Sequence, residues 1–544
     1  MVKKLTRKQF FGAAGALTAG AALTACAPAA TPAPTQAPAP TAAPTQPPAP
    51  TATAAPPPTK APVSTGRTLK YRMYLDIQNL DPARRISQND NDVSDCILRG
   101  LVRYAPNSYD IYNDLAESIK QVSDTVVEFK LREGVKWDRD FGEVTTEDVK
   151  FSYERFLDPN LKSSYKDDWA TLDKVEIVDK YRGKIVLKQP FAPLWKTTLP
   201  VTSGDILCKK FVEQAGLEKI KSDIVGCGPY TFVEWKPKER VVIKRNPNYF
   251  GKPAPFDEIH FLPIDDDKAA EIALEAGEID WGRIAIGSIE RFETGGKLKV
   301  WVKPALRYRW VGMNVTHPKL QDINVRQAIR YGVDVDAIVK ASYRGRAEVE
   351  YAMIAPGLLG HWKDAPKYKR DVEKAKDYLK KAGLTTLDLK YTCQNTTEYK
   401  GWGEVMQQNL KDVGINLAVE PLDSSVYSGI GFKPEAANLE LHSGNFSMQP
   451  DPSWATAWFT CAQIPGWNYL RWCNKEYDEL HAKGLVTIDD KEREKIYIRM
   501  QQVWDEACHS IWISHSIMSY AYSTKIKPAS TPHGIAQVEF FEAV

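Results

Sequence analysis

Apolar and charged residues alternate through Val127, Phe129 and Leu131, the period-two mark of a half-buried strand. Gly134 turns the chain, and Val135 and Trp137 offer a second short apolar edge. The period then changes. Thr145 and Asp148 stand at capping-box spacing, where a hydroxyl and a carboxylate satisfy the free N–H groups of a helix start. Val149, Tyr153 and Phe156 follow at i, i+4 and i+7 on one face of the predicted helix, which Pro159 stops.

The same reading extends along the chain. Strands are predicted at Leu69–Leu75, within Leu115–Trp137, over Val175–Leu187, at Val241–Asn246 and at Ile259–Ile264. Asp92–Tyr104 carries Val93, Ile97, Leu98 and Leu101 at helical spacing, with Cys96 as a buried free thiol. A helix at Ala269–Leu274 is expected to turn at Gly277. Further on, Asn324 and Gln327 suggest a capping box, with Val325, Ala328 and Ile329 continuing the helix. Asp371 caps another helix that closes at Gly383. Met406, Leu410 and Val413 mark a third, followed by a strand through Ile415, Leu417 and Val419. A last helix (Ile496, Met500, Val503, Ala507) precedes the strand Ile511–Ile513. Helix-then-strand units of this kind predict an α/β fold.

The N-terminus follows other rules. Lys3, Lys4, Arg7 and Lys8 precede an apolar run from Phe10 to Ala25, the layout of a signal peptide over residues 1–25. Leu23-Thr24-Ala25-Cys26 resembles a bacterial lipobox, making Cys26 the expected lipidation site and the membrane anchor. Thr6-Arg7-Lys8-Gln9-Phe10-Phe11 also resembles a twin-arginine signal with Lys in place of the second Arg, so the export route stays open. Residues 27–66 are almost wholly Ala, Pro, Thr and Gln, a composition that cannot offset ordering entropy and predicts an extended tether.

The formal charge of +3 over 544 residues includes four bases ahead of Cys26, so the remainder stands near −1, and bulk charge gives no case for nucleic-acid binding. No later apolar run reaches membrane-spanning length. A nucleophilic or metal-dependent hydrolase would need an activated residue or a ligand set, and the chain has no G-x-S-x-G, H-E-x-x-H or C-x-x-C. His509 and His515 read as structural. No cofactor or metal site is expected, although His317, His361 and His442 would be the histidines to face a chelate.

The order Leu131-Arg-Glu-Gly-Val-Lys-Trp137, then Thr145-x-Glu-Asp-Val-x-Phe-Ser-x-Glu-Arg155, resembles the signature of family 5 extracellular solute-binding proteins, the peptide and nickel receptors of ABC importers. Asn79-Leu80-Asp81-Pro82-Ala83, Gly226-Cys227-Gly228-Pro229-Tyr230 (Cys in the family's Thr position) and Arg245-Asn246-Pro247-Asn248-Tyr249-Phe250 extend the likeness over residues 67–544. The resemblance implies a two-lobed α/β fold of periplasmic-binding-protein type with two hinge crossings. The first lobe would be 67–308 plus 516–544, with an extra subdomain at 86–194, and the second 309–515. It further implies a monomeric, exported lipoprotein on the outer side of the cytoplasmic membrane, which closes on a solute and docks on a permease and ATPase complex. Oligosaccharide or nickel-chelate receptors of the same fold, and a sensor lipoprotein outside transport, are the alternative readings.

The resemblance also assigns residues. Cys461 and Cys473 match the cysteine-closed loop of dipeptide receptors. Cys208 with Cys227 form a second candidate disulfide on other grounds: both lie outside periodic apolar stretches, and Cys227 replaces the family's Thr in a tight turn, which suggests a local partner. Ligand contacts are expected from Ser87, Gln88, Tyr165, Trp169, Trp310, Asn314, Gly444, Asn445, Phe446, Asp451, Trp454 and Trp467. In peptide receptors an aspartate several residues before a proline anchors the free ammonium group. Placing Pro450 on that proline puts Asn445 or Phe446 at the anchor, neither charged, while Asp451 would serve only in a shifted loop. The expectation is a receptor that does not read peptide N-termini, with Trp310, Tyr165, Trp169, Trp454 and Trp467 as stacking faces for a sugar or another neutral or capped ligand.

Overall fold

Two sheets carry the fold, and the chain passes between them twice. The computed structural model describes residues 66–85 and 87–544, apart from the side chain of Ser424. The export segment, Cys26 and the proline-rich stretch to residue 65 lie outside them. The larger sheet has seven strands in the order Tyr230–Lys236, Arg240–Arg245, Glu258–Pro263, Thr68–Met73, Trp281–Arg283, Ile517–Ser523 and Leu298–Pro304. Thr68–Met73 runs parallel to both of its neighbours, and Ile517–Ser523 runs antiparallel to both of its own.

The second sheet has five strands, Ile415–Leu422, Leu387–Gln394, Leu441–Ser447, Arg307–Met313 and Ser510–Ser514. Its first three strands are parallel, as the helix-then-strand pattern requires, and the last two pairings are antiparallel. The chain leaves the seven-stranded sheet after Pro304 and enters the five-stranded one at Arg307. It returns between Ser514 and Ile517. Both crossings are therefore short and lie side by side.

A four-stranded antiparallel sheet (Ala116–Ser123, Val126–Leu131, Arg182–Leu187, Leu172–Ile177) stands apart from these but shares one apolar core with the seven-stranded sheet. Val127, Phe129 and Leu131 point into that core. The helix Thr146–Glu154 packs on this sheet, and the Thr145 N–H donates to Asp148 Oδ2 at 2.9 Å, as the spacing predicts.

Three expectations change. The apolar residues of Asp92–Tyr104 do not extend one helix. A short helix, Gln88–Ser94, is capped by Ser87, and the chain becomes extended from Arg99. Gly100 allows this, because a Cβ there would press on the Gly204 and Leu199 carbonyls of the neighbouring segment. The helix Ile323–Gly332 is capped by Asp322, whose carboxylate accepts from the Asn324 N–H at 2.8 Å, so Asn324 lies inside the helix.

Cys208 and Cys227 are both free and buried, not bridged. Cys208 heads the helix Lys209–Ala215 with its sulfur toward the Lys210 and Phe211 N–H groups, and burial pushes its thiol to about 12. Cys227 is pinned between two glycines that let the turn lie directly on the Ile97 carbonyl, where Gly228 N–H donates at 2.8 Å. Both thiols are sealed in the core, and burial raises Cys227 as well. The Cys461–Cys473 disulfide is present, with S–S 2.08 Å and Cα–Cα 4.6 Å.

Candidate functional site

The cleft-facing chemistry begins where the crossings meet the sheets. Strand Arg307–Met313 alternates: Tyr308 and Trp310 turn into an aromatic core with Phe459 and Trp504, whereas Val311, on the opposite face, joins the core under the parallel strands. Arg307 and Arg309 share the Val311 face at the end nearest the crossing. Across the register they oppose Ser447 and Asn445.

Arg309 is held. Its Nη1 donates to Glu398 Oε2 at 2.9 Å and to Tyr399 Oη at 2.7 Å, and Tyr343 Oη donates to Glu398 Oε1 at 2.6 Å. Burial opposes the Arg309 charge, but Tyr399, Tyr343 and Glu398 more than offset it and leave the guanidinium above its usual range. Two buried atoms of this corner have no hydrogen-bond partner among the described residues, Arg309 Nε and Asn445 Oδ1.

From the side of the seven-stranded sheet come Arg283, at the end of its strand, Tyr74, just past the strand Thr68–Met73, and Ser87, the cap of Gln88–Ser94. The Arg283 guanidinium carbon lies 5.5 Å from the Tyr74 ring centroid. Arg72, itself buried, fixes the strand end by donating to the Arg283 carbonyl at 2.8 Å and to Asp267 at 2.8 Å. Burial raises the Tyr74 hydroxyl, with Asp92 acting in the same direction, whereas Arg283, Ser87 and Arg307 lower it. Arg283 and Arg307 are thus electrostatic neighbours of one tyrosine, reached from two different sheets. Neither forms an ion pair with a carboxylate among the described residues.

Other contacts join the two sides. Arg346 grips Glu293 at 3.0 and 2.6 Å, Ala192 N–H donates to the Leu485 carbonyl at 2.8 Å, and His533 Nε2 lies 3.2 Å from the Pro356 carbonyl.

The expected ligand residues scatter. Ser87 caps its helix beside Tyr74, and Gln88 Nε2 donates to Asp92 Oδ1 at 2.6 Å, so these two stand near the corner. Asn445 is at it. Trp169 is core, 1% exposed, stacked 4.2 Å from Tyr153 with its N–H donated to the Ser203 carbonyl. Tyr165 packs half-buried on the same core. Trp310 is 2% exposed, and Gly444 opposite is a glycine because a Cβ would overlap that indole. Asn314 spends its amide on the Ala437 and Leu439 carbonyls at 3.0 and 2.9 Å. Asp451 is fully buried against Arg493. Phe446 lies between Trp310 and Trp458, and Trp454 packs on Trp458. Trp467 alone of the five proposed stacking faces is open, at 38% exposed.

The residues missed were Tyr74, Arg283, Arg307, Tyr343, Glu398 and Tyr399. One signal was visible: two arginines flanking Tyr308 in an otherwise apolar strand. Among the described residues no group of three or more His, Cys, Asp or Glu side chains could hold a metal ion. His442 in particular is sealed beneath Gly312, and burial takes its imidazole down to about 3.

Two sheets linked by paired crossings, with polar side chains gathered at the junction, define a two-sided ligand-binding fold. The structure of HbpA2 from Haemophilus parasuis superposes with a TM-score of 0.79 at 23% identity, covering 88% of this chain and all of that one. Residues 110–467 match the family described as bacterial extracellular solute-binding proteins, family 5 Middle, and the chain belongs to that family. It is 26% identical over 458 residues to the dipeptide-binding protein of Escherichia coli strain K12, covering 78% of this chain and 85% of the relative. It is 28% identical over 451 residues to the glutathione-binding protein GsiB of Pectobacterium atrosepticum, covering 79% and 85%.

Proposed function

We propose that this chain is the solute-capturing receptor of an ABC importer, taking a peptide-sized organic solute at the junction of its two sheets and handing it to a membrane permease. The observation that carries this reading is the corner itself. Arg283 with Tyr74 and Arg307 with Arg309 reach one place from opposite sides of a double crossing. A ligand seated there contacts both sides only when they are together, which is the differential contact that shifts an open–closed equilibrium. Relatives named for a dipeptide and for glutathione support a solute of that size.

The lobes would be 67–308 plus 516–544 and 309–515, with 86–194 as a subdomain. Cys26 would carry the lipid and residues 27–66 the reach from the membrane, and the receptor would act as a monomer.

The ammonium of a peptide is not the group read. Asp451 is already committed to Arg493, and Asn445 carries no charge, so a buried ammonium would lack a partner. Calorimetric titration with matched free-amine and N-acetylated dipeptides tests this. Equal affinities are expected, and a dependence on the free amine would sink the reading. Small-angle scattering of the protein with and without whatever small molecule co-purifies with it tests capture. A ligand-dependent compaction is expected, and no change in shape would remove the receptor mechanism.

A further inference from the structure

We propose that the hairpin near the C-terminus is a brace beside the two crossings, fastened through Tyr109, His533 and the Pro356 carbonyl, and that protonation of His533 unfastens it. The inference goes beyond the receptor reading and holds whichever solute is captured.

The last residues of the chain pack into both sides of the molecule. Val538 and Phe541 lie in the core of the seven-stranded sheet. Ile535, a few residues earlier, packs on the aromatic core that contains Met353, Ile354 and Leu358, and Tyr109 packs on it too. Between these anchors the chain folds back on itself. Thr531 N–H donates to the Ile535 carbonyl at 2.9 Å, and Gly534 N–H to the Thr531 carbonyl at 3.0 Å. Gly534 has φ 78°, and a Cβ there would stand 3.0 Å from Met518 Cβ and 3.2 Å from Lys303 Cβ. Those two residues lie in Ile517–Ser523 and Leu298–Pro304, the strands that join the crossings, so the hairpin tip sits against the place where the two sides are linked.

The base of the hairpin is tied to the turn at 105–109. Ser530 N–H donates to Asn107 Oδ1 at 3.2 Å, Asn107 N–H to Gln537 Oε1 at 2.9 Å, and Gln537 Nε2 to the Ala105 carbonyl at 3.2 Å. His533, at the tip, is 4% exposed. Its ring stacks on Tyr109 with centroids 5.7 Å apart. Tyr109 Oη lies 3.1 Å from Nδ1, and the Pro356 carbonyl lies 3.2 Å from Nε2.

These partners fix the tautomer. A carbonyl only accepts, so Nε2 carries the hydrogen, and Nδ1 of the neutral ring accepts from the Tyr109 hydroxyl. The stretch 352–356 has no regular structure, and two further imidazoles hold it. His361 Nδ1 is 2.8 Å from the Ile354 carbonyl, and His515 Nε2, on the return crossing, is 3.1 Å from the Met353 carbonyl. Three of the eight histidines therefore satisfy one irregular stretch, where a helix or sheet would use backbone N–H groups.

Protonation opposes the fastening. A second N–H, at Nδ1, forces the Tyr109 hydroxyl from donor to acceptor, and the new charge sits in a sealed site. The groups against His533 are uncharged: Tyr109 from the turn, the Pro356 carbonyl, and Thr531 beside Tyr109. Lys303 turns its ammonium to the Trp301 ring, 5.3 Å from the centroid. His361 and His515 would add like charge, and Glu350 lies 4.0 Å from His515 Nδ1. No Asp or Glu stands within ion-pair distance of His533 among the described residues. Burial draws its imidazole below the usual range, and the Pro356 carbonyl offsets this only in part. With the hairpin loosened, His533 is in water and titrates near 6.5. The loosened form therefore takes the proton more readily, and the fastening is fully present above about pH 6.5 and is lost as pH falls below it.

Amide exchange of the purified protein from pH 8 to pH 5, corrected for the intrinsic effect of pH and read by mass spectrometry, tests this. Peptides covering 352–361 and 528–541 are expected to exchange about two- to tenfold faster at pH 5, the equilibrium effect of losing one net hydrogen bond. H533Q, which keeps an N–H donor but cannot be protonated, should show no such pH response. H533A and Y109F should already exchange faster at pH 8, while residues 116–131 stay protected throughout. A pH response in H533Q equal to the parent's would overturn the proton sensing. H533A and Y109F both exchanging like the parent at pH 8 would overturn the fastening. Equal acceleration over 116–131 would show general loosening and overturn the brace. None of these results touches solute capture, which the titrations above decide separately.

Discussion

Arg493 Nη2 donates to both oxygens of Asp451, at 2.9 and 2.8 Å, and both side chains are sealed from solvent. The aspartate also heads the short helix Pro452–Ala457, accepting from the Ser453 N–H at 3.0 Å. It is a structural acid, joining the loop after Ser447 to the helix Asp490–Glu506. Removing one member leaves the other charge buried and alone, so Arg493→Met is expected to cost about 3–5 kcal/mol, whereas replacing both residues with apolar ones of similar volume costs far less. Urea denaturation of the two single variants and the double variant measures this as a cycle. Near-additive single effects would show that the pair is not coupled. Ligand affinity in the folded fraction of Asp451→Asn should be unchanged.

The Cys461–Cys473 bridge closes a loop of sequence separation 12 that carries Trp467, Asn468 and Tyr469. Asn468 already ties the loop inward through its amide to the Phe459 and Trp472 carbonyls, at 3.1 and 2.7 Å. The bridge therefore acts mainly on the unfolded chain, and Cys461→Ala/Cys473→Ala is expected to lose about 3 kcal/mol by loop-closure entropy, with little change in folded shape. The comparison is between denaturant midpoints of the oxidised protein and the variant. A variant as stable as the parent would mean the loop is equally constrained without the bond.

Much of the scaffold was legible because its signals are local. The capping pair Thr145–Asp148, the Asp371 cap with Gly383 at φ 75° and the apolar alternation at Val127–Leu131 each specify their element from neighbours in sequence. The Asp92–Tyr104 segment misled because its leucines are buried by an extended backbone lying on Gly204, a contact more than a hundred residues away in sequence. Trp169 and Trp310 were offered as stacking faces but are core, for a related reason. Composition counts tryptophans but does not say which face of a strand carries the polar corner, and Trp310 points into the aromatic core while Arg309 beside it points the other way, to Glu398 and Tyr399. The corner joins residues 74, 283, 307 and 398, and only the double crossing brings those positions together. Cys208 and Cys227 were paired because both lie outside periodic apolar stretches and Cys227 stands in a tight turn where the family has Thr, but each is a free thiol sealed in the core.

The buried ionisable groups give stability a definite pH dependence. Asp92, Glu350 and Glu539 are each pushed up to about 7, and Asp138 to about 6, in every case chiefly by burial. Unfolded carboxyls titrate near 4, so the folded chain binds more protons than the unfolded one from about pH 4 to about pH 7. These groups therefore stabilise fully below the unfolded values, and their contribution is lost as pH rises through the folded ones. Histidines act oppositely. His442 and His515 are drawn down to about 3 and His481 to about 4 by burial. The unfolded chain then takes up protons below about 6.5 that the folded chain refuses, so their contribution is lost as pH falls through that range. Between about pH 4.5 and 6.5 the two sets oppose each other, and the curve should be shallow. From about 6.5 to 8 the histidines are neutral in both states and only the carboxyls act, so Tm should fall. Differential scanning calorimetry of the disulfide-intact protein across that span measures the slope. Asp92→Asn, which keeps an acceptor for Tyr71 and Gln88 but cannot ionise, should flatten it. A Tm that rises from 6.5 to 8, or an unchanged slope in Asp92→Asn, would show that these carboxyls do not enter the folded core as acids.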